Sequence, residues 1–348
     1  MNIQKQNLKL KKVLEKQLFN NRIEELDIIK GVGIILIVLG HLEPGIYLMK
    51  YLYSFHLFLF FVCSGFIGVR YEKRKIVEIL KGNIKRLLLP YIFWGLISQS
   101  IDFFVGKIDL YQAVSNILFL NGNVGWNAAL WFLVSLFWAD NICAIIVKAN
   151  KVLQCIIGFL LVVLWFIVAN FNLTLPFGLY TFPMAAFFWL VGYWINSFDI
   201  YLIVQKSNIY IKIVSMFILL VINTACGVIF NDVISIYHIK YNNIILSIIS
   251  GVSGVFFWLI FALLIKNNQA KNIIVFYGKN TLAILCTHYF ILRLFGVLTQ
   301  LLVGHDLWRY TSTIKSLIVT LVVIVMYYPV IIMLNKWKHK ITALRYLL

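Results

Sequence analysis

Lys30 and His41 stand eleven residues apart in the stretch RIEELDIIKGVGIILIVLGHL, residues 22–42. On an α-helix that spacing is three turns, so the two side chains share a face and lie about 16 Å apart along the axis. A long, thin ligand spans that gap. An ionisable group inside an apolar run is costly, and it reads as functional by default. A second histidine, His56, falls in the next apolar run, YLYSFHLFLFFVCSGFIGV. If both runs cross a bilayer, each imidazole comes to rest roughly 7 Å below the outer surface. Two imidazoles at one depth on adjacent antiparallel helices share a pocket, and an imidazole near neutrality serves as a general base or a proton relay. A hydrogen bond to a neighbouring helix explains either histidine alone equally well; the pair argues for a site.

The loop between Arg70 and Arg86 is strongly basic and ends in KRLLLPY. Retention of that loop on the inner side explains most of its charges. Arg86 differs because an apolar run follows it at once, which puts its planar fork at the membrane boundary, in position to hold a phosphate. Lys30 occupies the equivalent boundary of the first run, so the two form a candidate cationic mouth for a phosphorylated cofactor. Ser64 and Gly65 in the same region suit close helix packing. The five cysteines, Cys63, Cys143, Cys155, Cys226 and Cys286, all lie in apolar runs, show no metal-ligand spacing and read as small core residues, so no metal is expected.

The elements that must position these groups are membrane helices. At 62% hydrophobic and 13% charged, the 348-residue chain is too apolar for a soluble domain and is expected to be an all-α polytopic membrane protein. Apolar runs long enough for a bilayer core fall near 28–46, 51–69, 87–105, 127–147, 152–169, 178–195, 211–230, 243–265, 281–303 and 314–335, about ten transmembrane helices. The net charge of +18 is a topology signal and not a nucleic-acid footprint. Of the 31 Lys and Arg residues, 25 fall in the terminal segments and alternate gaps that share one side, five fall in the other gaps, and Arg293 alone lies within a run. That bias expects both termini to be cytoplasmic. Residues 1–27 read as a basic segment, amphipathic on an anionic leaflet or simply solvated, residues 28–335 as one transmembrane domain, and residues 336–348 as a basic tail.

Several short motifs, taken in order, resemble the integral-membrane acyltransferase family three, which includes O-acetyltransferases of surface polysaccharides and lipid-linked glycans. The resemblance lies in Arg22, Leu26-Asp27, Lys30-Gly31 and His41, then Ser54-Phe55-His56, Phe60-Phe61, Ser64-Gly65-Phe66, Arg86 and Pro90-Tyr91. It continues through Leu130-Trp131-Phe132-Leu133 to Gly278-Lys279-Asn280-Thr281-Leu282 and Thr287-His288. The SFH and LWFL forms are most similar to the fucose 4-O-acetylase-like branch. Lys30 departs from the arginine often found at that place in the family.

The resemblance implies transfer of an acetyl group from cytoplasmic acetyl-CoA to a hydroxyl of an extracytoplasmic or lipid-linked glycan, in a bacterial plasma membrane and without a metal. It implies CoA phosphates near Lys30 and Arg86, and a thioester several turns up beside His41, which acts either as base or as transient acyl carrier while His56 orients it or relays the proton. Trp131 is a candidate for stacking on a sugar ring, or an interfacial anchor. His288 and Arg293, in the ninth run, are candidates for substrate contact, with Arg293 expected to face the bundle interior. His238, His305 and His339 remain unassigned. A proton-coupled transporter of a small polar solute also suits buried histidines in a helical bundle, and a catalytically idle membrane module is the third reading.

Overall fold

A computed structural model describes residues 22–119, 125–266, 268–304 and 312–340. The basic segment up to Asn21, His305, Arg309 and the tail beyond Lys340 lie outside the described residues, as does the side chain of His339. In chain order the helices are α1 (Glu24–Gly40), α2 (Ile46–Lys73), α3 (Ile76–Phe104), the short α4 (Leu110–Phe119), α5 (Ala128–Ile146), α6 (Lys151–Asn170), α7 (Pro176–Ser197), the short α8 (Ile200–Lys206), α9 (Ile209–Ile229), α10 (Ile244–Leu264), α11 (Gln269–Lys279), α12 (Thr281–Leu302) and α13 (Thr313–Lys340). Among the described residues the only β pairing is an isolated bridge between Ser235 and Lys240.

Nine of these helices are long and apolar enough to cross a bilayer. α1 has 17 residues and carries Glu24, Glu25 and Asp27 in its first turn, which keeps it short of that measure, yet it occupies the first of the ten predicted runs. The chain is a polytopic membrane protein. Among the described residues, the start of α1 and the end of α13 lie at the same end of the bundle, as an even run count requires. Near one end of the bundle, the start of α1 touches Gly278 of α11, and Asn335 of α13 donates to Asn280 at 3.1 Å. At the other end, the Gly45 amide donates to Thr313 Oγ1 at 3.1 Å and Ser316 Oγ donates to the Leu42 carbonyl at 3.0 Å.

Two helix pairs approach too closely for a side chain. A Cβ on Gly65 of α2 would fall on the Trp189 carbonyl oxygen of α7, and one on Gly192 of α7 would fall on the Val62 carbonyl oxygen of α2. Likewise Gly31 of α1 faces the backbone of Ile274, and Gly278 of α11 faces the backbone of Asp27. Small residues at such crossings let backbones meet where lipid offers no hydrophobic drive.

α6, α9 and α13 keep broad apolar faces exposed, the outward surface that hydrocarbon covers. Cys155 is on such a face and is exposed, and Cys226 is half-buried, so only Cys63, Cys143 and Cys286 are core residues as expected. A helix immersed in lipid can carry an apolar side chain on any face, and the residue type alone does not tell which.

Candidate active site

α1 delivers Lys30 and His41 to two interior cavities. Lys30 lines an inner cavity of about 240 Å³ together with Ser64, Tyr71 and Arg86. His41, immediately past the end of α1, lines an outer cavity of about 370 Å³ with His56, Tyr53, Trp131, Tyr237 and Tyr289. The predicted pairing of His41 with His56, and of Lys30 with Arg86, is therefore present as two separate cavities.

Arg86 reaches the inner cavity from an irregular turn. Residues Ile84–Leu88 of α3 form a π-helical turn in which the Leu89 amide donates to the Ile84 carbonyl. Pro90 follows, and its missing N–H removes the ordinary donor to the Arg86 carbonyl, so the wider turn fits the local sequence. The guanidinium bonds the carboxylate of Asp140 on α5 and donates to Asn83 at 3.1 Å. Asp140 is fully buried and also accepts from Ser64 Oγ and from Trp189 Nε1, each at 2.6 Å. Lys30 has a matching support, because buried Asp27 lies 2.9 Å from its ammonium and 2.5 Å from Arg22 Nε. Neither carboxylate lines the cavity. Each cation is thus held from behind by an acid and presents its remaining donors to the cavity, which suits an anionic ligand.

On the outer side His41 Nδ1 lies 2.9 Å from the Tyr289 hydroxyl. The rings of His41, His288 and Tyr289 form a cluster with centroids 5.0, 4.8 and 4.8 Å apart. His288 Nδ1 donates to the carbonyls of Ile284 and Leu285 at 3.1 and 2.9 Å, which leaves Nε2 buried with no partner. A buried orphan nitrogen of this kind calls for an explanation. His56 Nδ1 donates to the Leu52 carbonyl at 2.5 Å, and its ring packs edge-on against Tyr53 at 5.0 Å. The same local break in α2 is pinned by Ser54, which donates to Tyr51 and accepts from Asn223 of α9 at 3.1 Å.

A hairpin between α9 and α10 roofs the outer cavity with Ser235, Tyr237 and His238. Buried Ile234, Ile236 and Tyr241 hold it down, and Tyr180 donates to the Tyr237 carbonyl at 3.2 Å. The Val233 amide, and then the Lys50 ammonium, hold the Asp232 carboxyl below its ordinary range, so the Lys50–Asp232 contact at 3.3 Å persists at neutral pH. Burial raises the Tyr237 phenol, which stays protonated as a hydrogen-bonding group.

Trp131 lines the outer cavity, its ring 6.3 Å from that of Tyr237. His288 is buried behind His41 and lines neither of the two cavities. Arg293 departs from expectation: it is exposed on the side of α12, with its guanidinium 5.1 Å from the centre of the Trp126 ring. A cation–π partner outside the cavities supplies the stabilisation that an interior position was expected to provide. Asp140 and Tyr289 were not singled out from sequence. Asp140 had a signal, a lone carboxylate inside the apolar run of α5, whereas a tyrosine in an apolar run carries none. Among the described residues no group of three or more His, Cys, Asp or Glu side chains has metal-binding geometry.

The arrangement combines cationic groups in one cavity and imidazoles in another, with Ile37, Phe132 and Leu285 lining both. No curated protein and no solved structure matches the chain. The family model described as an acyltransferase domain matches residues 23–336, nearly the whole of it. The chain therefore belongs to acyltransferase family 3, and its helical bundle is a membrane acyltransferase.

Proposed function

We propose that this protein takes an acetyl group from acetyl-CoA on the cytoplasmic side of a bacterial plasma membrane and transfers it to a hydroxyl of a glycan or lipid-linked sugar on the outer side. The observation that carries the reading is the juxtaposition of the two cavities, the inner with Lys30 and Arg86 and the outer with His41 and His56, which adjoin at three shared side chains. CoA phosphates suit the two cations, and the extended arm suits the three turns of α1 between Lys30 and His41.

In this reading His41 Nδ1–H donates to the Tyr289 oxygen, which leaves Nε2 unprotonated to act as base. The acceptor O–H gives its proton to Nε2, and its oxygen attacks the thioester carbonyl carbon. The C–O bond forms as the C–S bond breaks, and the imidazolium returns the proton to the CoA sulfur. If His41 instead carries the acyl group, Nε2 makes the first attack and the acceptor hydroxyl the second, with the same overall balance. His56 and His288 are positioning residues around that imidazole, and Trp131 with Tyr237 offers the aromatic surface a sugar ring stacks on.

The test is label transfer from radiolabelled acetyl-CoA in inverted membrane vesicles, followed into protein, lipid-linked glycan and polymer. Label enters a glycan fraction with the wild type, and His41→Ala lowers the rate by about 10²–10⁴-fold while the protein stays folded. Wild-type membranes that neither hydrolyse acetyl-CoA nor transfer its acetyl group would overturn the reading.

A further inference from the structure

The inner and outer cavities differ in every polar group that lines them, yet they share three apolar side chains: Ile37 of α1, Phe132 of α5 and Leu285 of α12. All three are buried. The His41 amide donates to the Ile37 carbonyl at 3.1 Å, and His288 Nδ1 donates to the Leu285 carbonyl at 2.9 Å. The shared ring therefore sits one helical turn beneath the imidazole cluster. Phe132 has little freedom within it, because its ring is held by those of Phe60 and Phe61 at 5.7 and 5.0 Å.

We infer that Ile37, Phe132 and Leu285 form an acyl-selecting constriction, which admits the slender acyl end of an acetyl thioester to His41 and rejects branched chains. The inference rests on the acyl-transfer reading above. With the nucleotide held by Lys30 and Arg86, the acyl group is the leading end of the donor and must pass the ring before it meets an imidazole. Three helices contribute one side chain each, so the opening cannot widen by the movement of a single loop. Each methyl branch then meets a fixed apolar wall, a circumstance that discriminates by roughly 10- to 200-fold. The same ring, free of polar side chains, keeps water and ions from joining the two cavities when no donor is bound. No new chemistry is required: the thioester C–S bond breaks, the ester C–O bond forms, and the proton passes from the acceptor hydroxyl to the CoA sulfur.

The experiment compares acetyl-, isobutyryl- and pivaloyl-CoA in proteoliposomes of the full chain, reading thiol release and labelled ester. The wild type is expected to favour acetyl over isobutyryl by about 10-fold or more. Leu285→Ala and Phe132→Leu raise the isobutyryl-to-acetyl ratio by about 10-fold, and the milder Ile37→Val raises it by a smaller factor. Leu285→Phe, which narrows the ring, lowers transfer of all three donors while CoA still binds. Proton leakage through the empty proteoliposomes rises in the widened variants and gives a readout independent of turnover. A wild type that uses isobutyryl-CoA as well as acetyl-CoA overturns the constriction, as does an unchanged ratio in widened variants that retain CoA binding. If the wild type consumes no acyl-CoA at all, the acyl-transfer reading itself fails.

Discussion

His41 depends on Tyr289 for its tautomer, because the 2.9 Å contact at Nδ1 is the bond that decides which ring nitrogen is free. Tyr289→Phe deletes that partner and keeps the ring. We expect kcat to fall roughly 10-fold or more with little change in the KM for acetyl-CoA, measured in steady-state transfer assays, since donor binding is assigned to the other cavity. Asp140 serves the inner cavity in the corresponding way. Asp140→Asn removes the charge behind bonds from Arg86, Ser64 and Trp189, and it should destabilise the fold by about 1.5–3 kcal/mol in detergent unfolding while raising the KM for acetyl-CoA. The contrast between these residues and Lys30, His41, His56 and Arg86 explains how much of the site could be read from the chain. The latter four are charged or ionisable groups whose presence in or beside an apolar run is conspicuous, and all four line the paired cavities. Asp140 meets the same criterion, whereas Tyr289 joins the site only through the folding that brings positions 41 and 289 together.

The helices keep these side chains in register through backbone contacts more than through side-chain size. The crossing of α2 and α7 is the clearest case, since Gly65 and Gly192 each abut a carbonyl of the opposite helix. Gly192→Ala must push the helices apart, and the same α7 carries Trp189, which donates to Asp140 at 2.6 Å. A loss of about 1–3 kcal/mol or more follows, together with weaker CoA binding, because Arg86 loses the fixed carboxylate it leans on. Gly82 in α3 supplies the control. An added Cβ there meets nothing within 4 Å, so Gly82→Ala should leave stability unchanged or raise it by up to about 1 kcal/mol. The spans themselves were legible because apolar length is a strong signal. The runs placed near 127–147 and 243–265 correspond closely to α5 and α10. Interruptions within spans were not legible: the turn at Ser54–Leu57 in α2 and the π-helical turn at Ile84–Leu88 are settled by tertiary bonds and by Pro90, and they leave the hydropathy untouched.

The bundle as a whole has a polarity that makes its chemistry directional. Lys30, Arg86 and the loop that carries Arg70, Lys73 and Arg74 belong to the side that holds 25 of the 31 basic residues, the side retained in the cytoplasm by the positive-inside rule. The hairpin with Tyr237 and His238 belongs to the sparsely charged side. CoA is too polar and too large to cross a bilayer, so under the proposed acetyl-CoA reaction only molecules whose inner cavity faces the added donor turn over. Sealed inverted vesicles should therefore transfer label from external acetyl-CoA, whereas sealed right-side-out vesicles of equal protein content should do so only after permeabilisation. The acceptor requirement runs the other way: a water-soluble glycan acceptor added outside should be modified in right-side-out vesicles preloaded with acetyl-CoA. A cysteine replacing His238 should react with an impermeant maleimide from the outer face, and one replacing Lys81 only after permeabilisation, which fixes the orientation independently of turnover. If external acetyl-CoA drives transfer equally in both kinds of sealed vesicle while the labelling pattern holds, the donor reaches the site from either face. The path through Ile37, Phe132 and Leu285 would then have no role in delivering the acyl group.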